Sequence, residues 1–132
     1  MTMTKEEVVQ RLRAAHEEES QSDIADGKEA GRTWAEREAT PKELRRLQAF
    51  KDGCRDWEKF QRSQGRGSSS RGASERLYFA IHPEHDGERT EASDFWEAVL
   101  GGDDKDRAHD PAFVWGFAEG ALEVWDEHKD DL

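Results

Sequence analysis

The strongest helix pattern in the chain reads DPAFVWGFAEGALEVW from Asp110 to Trp125. Asp110 is a favourable N-cap residue, and Pro111 suits the first helical position because its φ angle is already fixed. Apolar residues recur at the spacing of one broad helix face, and acidic residues lie opposite. The apolar set is Phe113, Val114, Phe117, Ala121, Val124 and Trp125, and the acidic set is Glu119, Glu123, Asp126, Glu127 and Asp130. The pattern predicts a helix that is buried along one side.

Two pairs of glycines at a spacing of four residues stand far apart in the chain. Gly116 and Gly120 lie within the pattern above, and Gly27 and Gly31 lie just before Trp34. Glycines at this spacing leave a shallow groove in a helix surface, so that another backbone can approach closely. We therefore predict that these two helices pack against each other or against copies of themselves.

The first forty residues contain two helix start signals. Thr4 and Glu7 form a capping-box pattern, which predicts a helix over about residues 4–19. The polar segment 20–23 offers a second start, and small and apolar residues then follow at helical spacing up to residue 35. The sequence thus predicts two successive helices here.

A third helix has the clearest start signal. Thr40 is its N-cap, Pro41 its first residue and Glu43 the capping-box partner, and the pattern extends to about Arg62 with Gly53 as the place for a bend or split. Basic residues gather on one side of this predicted helix: Arg45, Lys51, Arg55, Lys59 and Arg62.

The middle of the chain is rich in glycine and serine. Residues 63–74 predict a flexible linker between an N-terminal helical half, 1–62, and a C-terminal half, 75–132. In the second half, Ser74 is the predicted cap of a short helix that stops before Pro83, and another helix is predicted over 90–100. The expected fold is an all-α, small irregular bundle of five or six helices in which the two halves form one domain.

Composition limits the size of the core. Leu, Ile, Val and Phe account for 20 of 132 residues, and the net charge is -11, a combination that often prevents folding. Five tryptophans and abundant alanine favour a small aromatic core. Because tryptophan also anchors interfaces, a surplus of indoles predicts partner binding, first at Trp115 and then at Trp125, Trp96 and Trp57.

These features predict a non-enzymatic protein-interaction module, acidic and of the regulatory, adaptor or inhibitor kind, whose partner is another protein or a second copy. The acidic C-terminal half could alternatively imitate nucleic acid and block a basic protein. A second alternative is nucleic-acid binding through the basic face of helix 41–62. It is less favoured, because segments 1–41, 42–76 and 77–132 carry -4, +5 and -12.

A further alternative is a small metal-dependent enzyme. His82, His85, Asp86 and His109 are the candidate ligands, but the proline between the first two histidines breaks helical ligand spacing. The chain contains no phosphate-binding loop and no nucleophile elbow, so no cofactor and no catalytic residue is predicted.

The chain has one cysteine, Cys54, no signal-peptide pattern and no apolar run long enough for a membrane span. We therefore expect a cytoplasmic protein that does not insert into membranes.

Overall fold

A computed structural model describes residues 2–63, 72–101, 108 and 110–132. Among these residues it contains six α-helices and no strand, so the all-α prediction is confirmed. The helices are α1 (Lys5–Arg37), α2 (Pro41–Cys54), α3 (Trp57–Ser63), α4 (Ala73–Ile81), α5 (Arg89–Leu100) and α6 (Pro111–His128), with 3₁₀ turns at Pro83–His85 and Lys129–Asp131. Most of the predicted linker, residues 64–71, lies outside the described residues.

The centre of the fold is the contact between α1 and α6 through the four glycines. A Cβ added to Gly116 would overlap the carbonyl oxygen of Ile24, and one added to Gly120 would overlap that of Lys28. Both residue numbers rise by four, so the two helices run parallel. The contact is reciprocal, since a Cβ on Gly27 or Gly31 would overlap a carbonyl oxygen of α6.

The prediction of two helices before residue 36 is wrong, because α1 is one helix of 33 residues. Its start is as predicted: the Thr4 hydroxyl accepts a hydrogen bond from the amide of Glu7 at 3.2 Å. Segment 20–23 contains neither proline nor glycine. Once a helix is nucleated, each added residue forms a further hydrogen bond, so polar residues alone do not end it.

The helix predicted over 41–62 is divided into two, the alternative that Gly53 left open. The capping box at Thr40 and Glu43 is present, but α2 ends at Cys54, where Arg55 takes a positive φ of 70°. The Asp56 carboxylate then accepts a hydrogen bond from the amide of Lys59 at 2.9 Å and begins α3. The break therefore lies two residues beyond Gly53, with a side-chain cap that restarts the helix.

Helices α4 and α5 complete the bundle. Gly72, and not the predicted Ser74, is the N-cap of α4, and Ser74 is buried inside the helix. The indole nitrogen of Trp96 on α5 donates a hydrogen bond to the Ser74 carbonyl oxygen at 2.9 Å. Gly101, with φ of 76°, ends α5. One buried hydrogen bond thus joins the two helices, in addition to their apolar contact.

Aromatic rings fill the core around α6. Phe117 is fully buried and contacts the rings of Trp34, Trp96 and Phe95, with centroid distances of 5.3, 4.9 and 6.2 Å. Few aliphatic residues are needed because each aromatic ring buries a large area. The core therefore depends on a small number of rings.

Candidate interaction surface

The first half of α1 extends beyond the bundle. We call residues 5–19 the helical arm; all side chains from residue 2 to 19 are exposed except Val8 and Ala15, which are partly buried. Fifteen helical residues span about 22 Å. Helix α6 meets α1 only from about residue 20 onward, because Gly116, in the second turn of α6, lies against Ile24. The arm is therefore a helix without a packing partner among the described residues.

Most of the large apolar side chains exposed on the described surface lie in the arm or just before it. Four such side chains are exposed, and three of them are Met3 at 50%, Val9 at 37% and Leu12 at 53%. Val8, Leu12 and Ala15 follow at steps of four and three, which places them on one side of the helix. At about 100° per residue, Arg11 borders this stripe on one side and Val9 on the other. The arm thus presents an apolar stripe bordered by one arginine.

A groove lies farther along α1, between its C-terminal half, the end of α5 and the start of α6. The described residues enclose a volume of about 470 Å³. Its apolar lining consists of Ala30, Trp34, Ala98, Val99, Leu100 and Phe113. Its polar rim consists of Asp26, Glu29, Thr33, Arg37 and Glu38, so that three acids face one arginine. This surface can accept an apolar side chain bordered by positive charge.

Two of the predicted partner-binding tryptophans are buried. Trp115 is 4% exposed and Trp96 is 3% exposed, so neither indole is available at the surface as predicted. Trp115 packs on Phe60 at a centroid distance of 5.3 Å, and the Lys51 ammonium lies 5.2 Å from its ring. The break at Arg55 turns α3 toward α6, and this places Phe60 over the indole. A helical periodicity cannot indicate such a turn.

The other two tryptophans are only partly buried. Trp57 lies at centroid distances of 6.1 Å from Phe60 and 6.3 Å from Trp115, and Trp125 packs at the edge of the core. They can contribute the edge of an interface. The exposed apolar surface of the arm was not predicted from the sequence. Its signal was Val8, Val9 and Leu12, which lie in a segment predicted to be a separate helix.

The basic residues predicted to share one face are distributed over two helices. Arg45 and Lys51 belong to α2, Lys59 and Arg62 to α3, and Arg55 occupies the break between them. Arg62 forms an ion pair with Glu58 within α3. A continuous basic helix face over 41–62 is therefore absent, which corrects the geometry on which the nucleic-acid alternative depends.

The acidic side of α6 is partly neutralised by α1. Lys28 forms an ion pair with Glu123 at 2.6 Å, and Arg32 contacts Glu123 at 3.1 Å and Glu127 at 3.2 Å. The hydrogen bond between Lys28 and Glu123 lowers the pKa of Glu123 and raises the pKa of Lys28. These pairs link α1 to α6 beside the glycine contact, and they reduce the acidic surface open to a basic partner.

Most nitrogens of the two central histidines already have partners. His82 places Nε2 at 2.7 Å from Glu43 and Nδ1 at 3.1 Å from Glu84, and Nδ1 of His85 lies 2.7 Å from the Tyr78 hydroxyl. Within the described residues, no three His, Cys, Asp or Glu side chains converge in a way that could hold a metal ion. Asp86 is described and also has an interaction partner, whereas His109 lies outside the described residues. His82, Glu43 and Glu84, which we call the His82 cluster, form a contact between the end of α4 and α2.

The His82 cluster allows a titration test. Hydrogen bonds from its own backbone amide and from His82 lower the pKa of Glu84 from 4.5 to about 2. The lowered pKa stabilises the fold above pH 4.5, and this contribution is lost as the pH falls towards 2. We expect His82→Ala to raise the Glu84 pKa towards 4.5 in an NMR titration of the side-chain carboxyl. His85→Ala is the control, since that ring contacts Tyr78; an unchanged Glu84 pKa in His82→Ala would contradict the assignment.

Comparison of the chain with protein-family models, with curated proteins and with solved structures gave no match. None of the described helices combines the length and the apolar character needed to cross a bilayer.

Proposed function

We propose that this chain is a small acidic protein-interaction module of the regulatory, adaptor or inhibitor kind, and that it binds protein through the helical arm. One observation carries the proposal: three of the four exposed large apolar side chains of the described surface lie at or next to the arm. Monomeric proteins rarely leave such side chains grouped on an unpacked element, and a grouped set marks an interaction site.

The physical form of the arm supports binding as a preformed helix. An amphipathic helix that enters an apolar groove is a common recognition mode, and its anchors follow at steps of three and four residues. Val8 and Leu12 supply such anchors, and Arg11 beside them supplies a charge that selects among grooves. In this proposal the chain performs no catalysis and acts in the cytoplasm, where a single half-buried cysteine stays reduced.

The proposal predicts that Leu12→Glu removes partner binding without unfolding the chain. Leu12 is 53% exposed, so the substitution leaves the bundle intact, and the helix content measured by circular dichroism stays unchanged. We expect at least about a tenfold weaker binding to a captured partner, the effect of losing one buried leucine anchor. Binding is measured by interferometry with the immobilised chain.

Ala14→Glu is the matched control, because Ala14 is exposed and lies on the opposite side of the arm. This variant adds the same charge to the same helix. Equal binding by the Leu12 and Ala14 variants would contradict a role for the apolar stripe.

A further inference from the structure

A second cavity lies at the break between α2 and α3, beside the first turn of α4. The described residues enclose a volume of about 520 Å³ there, which is within the range of pockets that hold small organic molecules. A Cβ added to Gly53 would meet no atom within 4 Å, so this wall faces open space. We call this the cationic cavity, and its lining consists of Ala49, Phe50, Gly53, Cys54, Arg55, Lys59, Phe60 and Arg76.

The charge of this lining has a single sign. Among the described residues that form it, Arg55, Lys59 and Arg76 are cationic and none is acidic, although the whole chain has a net charge of -11. Neither Arg55 nor Lys59 forms an ion pair in the described part of the chain, whereas Arg62 farther along α3 pairs with Glu58. Positive groups placed around a concave surface attract anions, and a guanidinium group binds a carboxylate through two parallel hydrogen bonds.

The inner wall of the cationic cavity is aromatic. The rings of Phe50 and Phe60 meet edge to face at a centroid distance of 6.3 Å. The guanidinium of Arg76 lies 5.3 Å from the centroid of the Phe60 ring. Arg55 and Lys59 are exposed, so their charges lie at the rim. A flat apolar group can therefore pack on the rings while an attached anionic group stays near the cations.

A strained turn holds Arg55 at the rim. Its φ is 70° and its ψ is -73°, and the amide of Asp56 donates a hydrogen bond to the carbonyl oxygen of Cys54 at 3.0 Å. These features define the strained form of γ-turn, which is rare. Strained backbone at a non-glycine residue is concentrated at active sites and ligand-binding sites. The turn is thus an indication of a ligand that is independent of the charge.

From these observations we infer that the cationic cavity binds a small organic anion, namely a flat aromatic group that bears a carboxylate. The aromatic group packs on Phe50 and Phe60, and the carboxylate accepts hydrogen bonds from Arg55 and Lys59. Arg76 adds positive potential from α4. The cavity is formed by helices other than α1, so this site is separate from the helical arm and does not depend on the proposed function.

Titration of the full chain with two matched compounds tests this inference. Naphthoate and naphthamide share the same ring system, but only naphthoate is charged. Followed by NMR shifts of the amides of residues 53–60, naphthoate is expected to bind at least about tenfold more tightly than naphthamide, the effect of one charge-assisted hydrogen bond. Equal affinities, or no binding of naphthoate, would overturn the inference.

Charge-removing variants locate the site. Arg55→Gln with Lys59→Gln is expected to weaken naphthoate binding at least about tenfold. Lys5→Gln with Arg13→Gln is the matched control, because it removes one lysine and one arginine from exposed positions of the arm. An equal loss in the two variants would show a general effect of net charge and would contradict a site at the break.

A filled cavity provides a test of shape. Leucine at position 53 would extend into open space, so Gly53→Leu is expected to keep the helix content and to abolish naphthoate binding. Cys54 is the one cysteine of the chain and reports on the same wall. Bound naphthoate is expected to slow its alkylation by iodoacetamide, in which the thiolate displaces iodide. An alkylation rate that naphthoate leaves unchanged would place the compound elsewhere and overturn the site.

Arg55→Gly tests the link between strain and binding. Glycine takes a positive φ without a steric cost, so this variant is expected to unfold at a higher urea concentration than the wild type. It is also expected to bind naphthoate at least about tenfold more weakly, because the guanidinium is lost. A variant that gained stability and kept the affinity of the wild type would refute a role of Arg55 in the site.

Discussion

Replacing Gly116 with alanine is expected to lower the free energy of unfolding by about 3 kcal/mol or more, a large part of the stability of a small domain. The added Cβ would overlap the carbonyl oxygen of Ile24, and both atoms belong to helix backbones that cannot move independently. The helices α1 and α6 must therefore separate, and the rings packed between them lose contact. Urea unfolding followed by circular dichroism measures the change.

Gly53→Ala is the matched control for this result. Gly53 lies in α2, and a Cβ added there meets no atom within 4 Å. Alanine in a helix is favoured over glycine by about 1 kcal/mol, so this variant is expected to be slightly more stable than the wild type. Equal unfolding midpoints for the two variants would show that the glycine contact does not hold the helices together.

Replacing Trp115 with alanine is expected to cost about 3 to 5 kcal/mol and to unfold much of the protein at 37 °C. The indole is 4% exposed and packs against Phe60 and Trp57, with the Lys51 ammonium over its ring. Its removal leaves a cavity at the point where α3 is attached to α6. Thermal unfolding followed by circular dichroism measures the loss.

Trp125→Ala serves as the comparison, since Trp125 is only partly buried at the edge of the core. We expect a clearly smaller loss for this variant. A Trp115→Ala protein that kept the stability of the wild type and lost only partner binding would contradict this core role. It would instead support the partner contact that the sequence alone predicted.

The sequence predicted those parts of the fold that depend on local signals. The caps at Thr40 and Asp110 act through side chains within three residues of the amides they bind, so their effect can be read from spacing. The glycine pairs could be matched with each other because a groove of small residues has few uses other than close helix packing.

Other parts depended on tertiary structure. The turn at Arg55 places a non-glycine residue at positive φ, a strained conformation that the packing of Phe60 and Trp57 on Trp115 of α6 offsets. The burial of Trp115 follows from that turn, so the error in the helix boundary produced the error in the predicted interface. For the arm, the sequence indicated a helix with a thin apolar stripe, but only the position of α6 shows where the packing of α1 ends.

The parallel pairing of α1 with α6 also has a consequence for the order of events during synthesis. Arg32 and Glu123 are separated by 91 positions, and the main interface of the fold joins segments at this distance. Helical proteins with mostly local contacts fold quickly, whereas contacts between remote segments delay folding until the intervening loop has closed. While the ribosome is still adding the intermediate segments, the helix α6 that covers Trp34 and the glycine groove of α1 has not yet been made. The central contact of the fold therefore forms only after residues 111–128 have been synthesised.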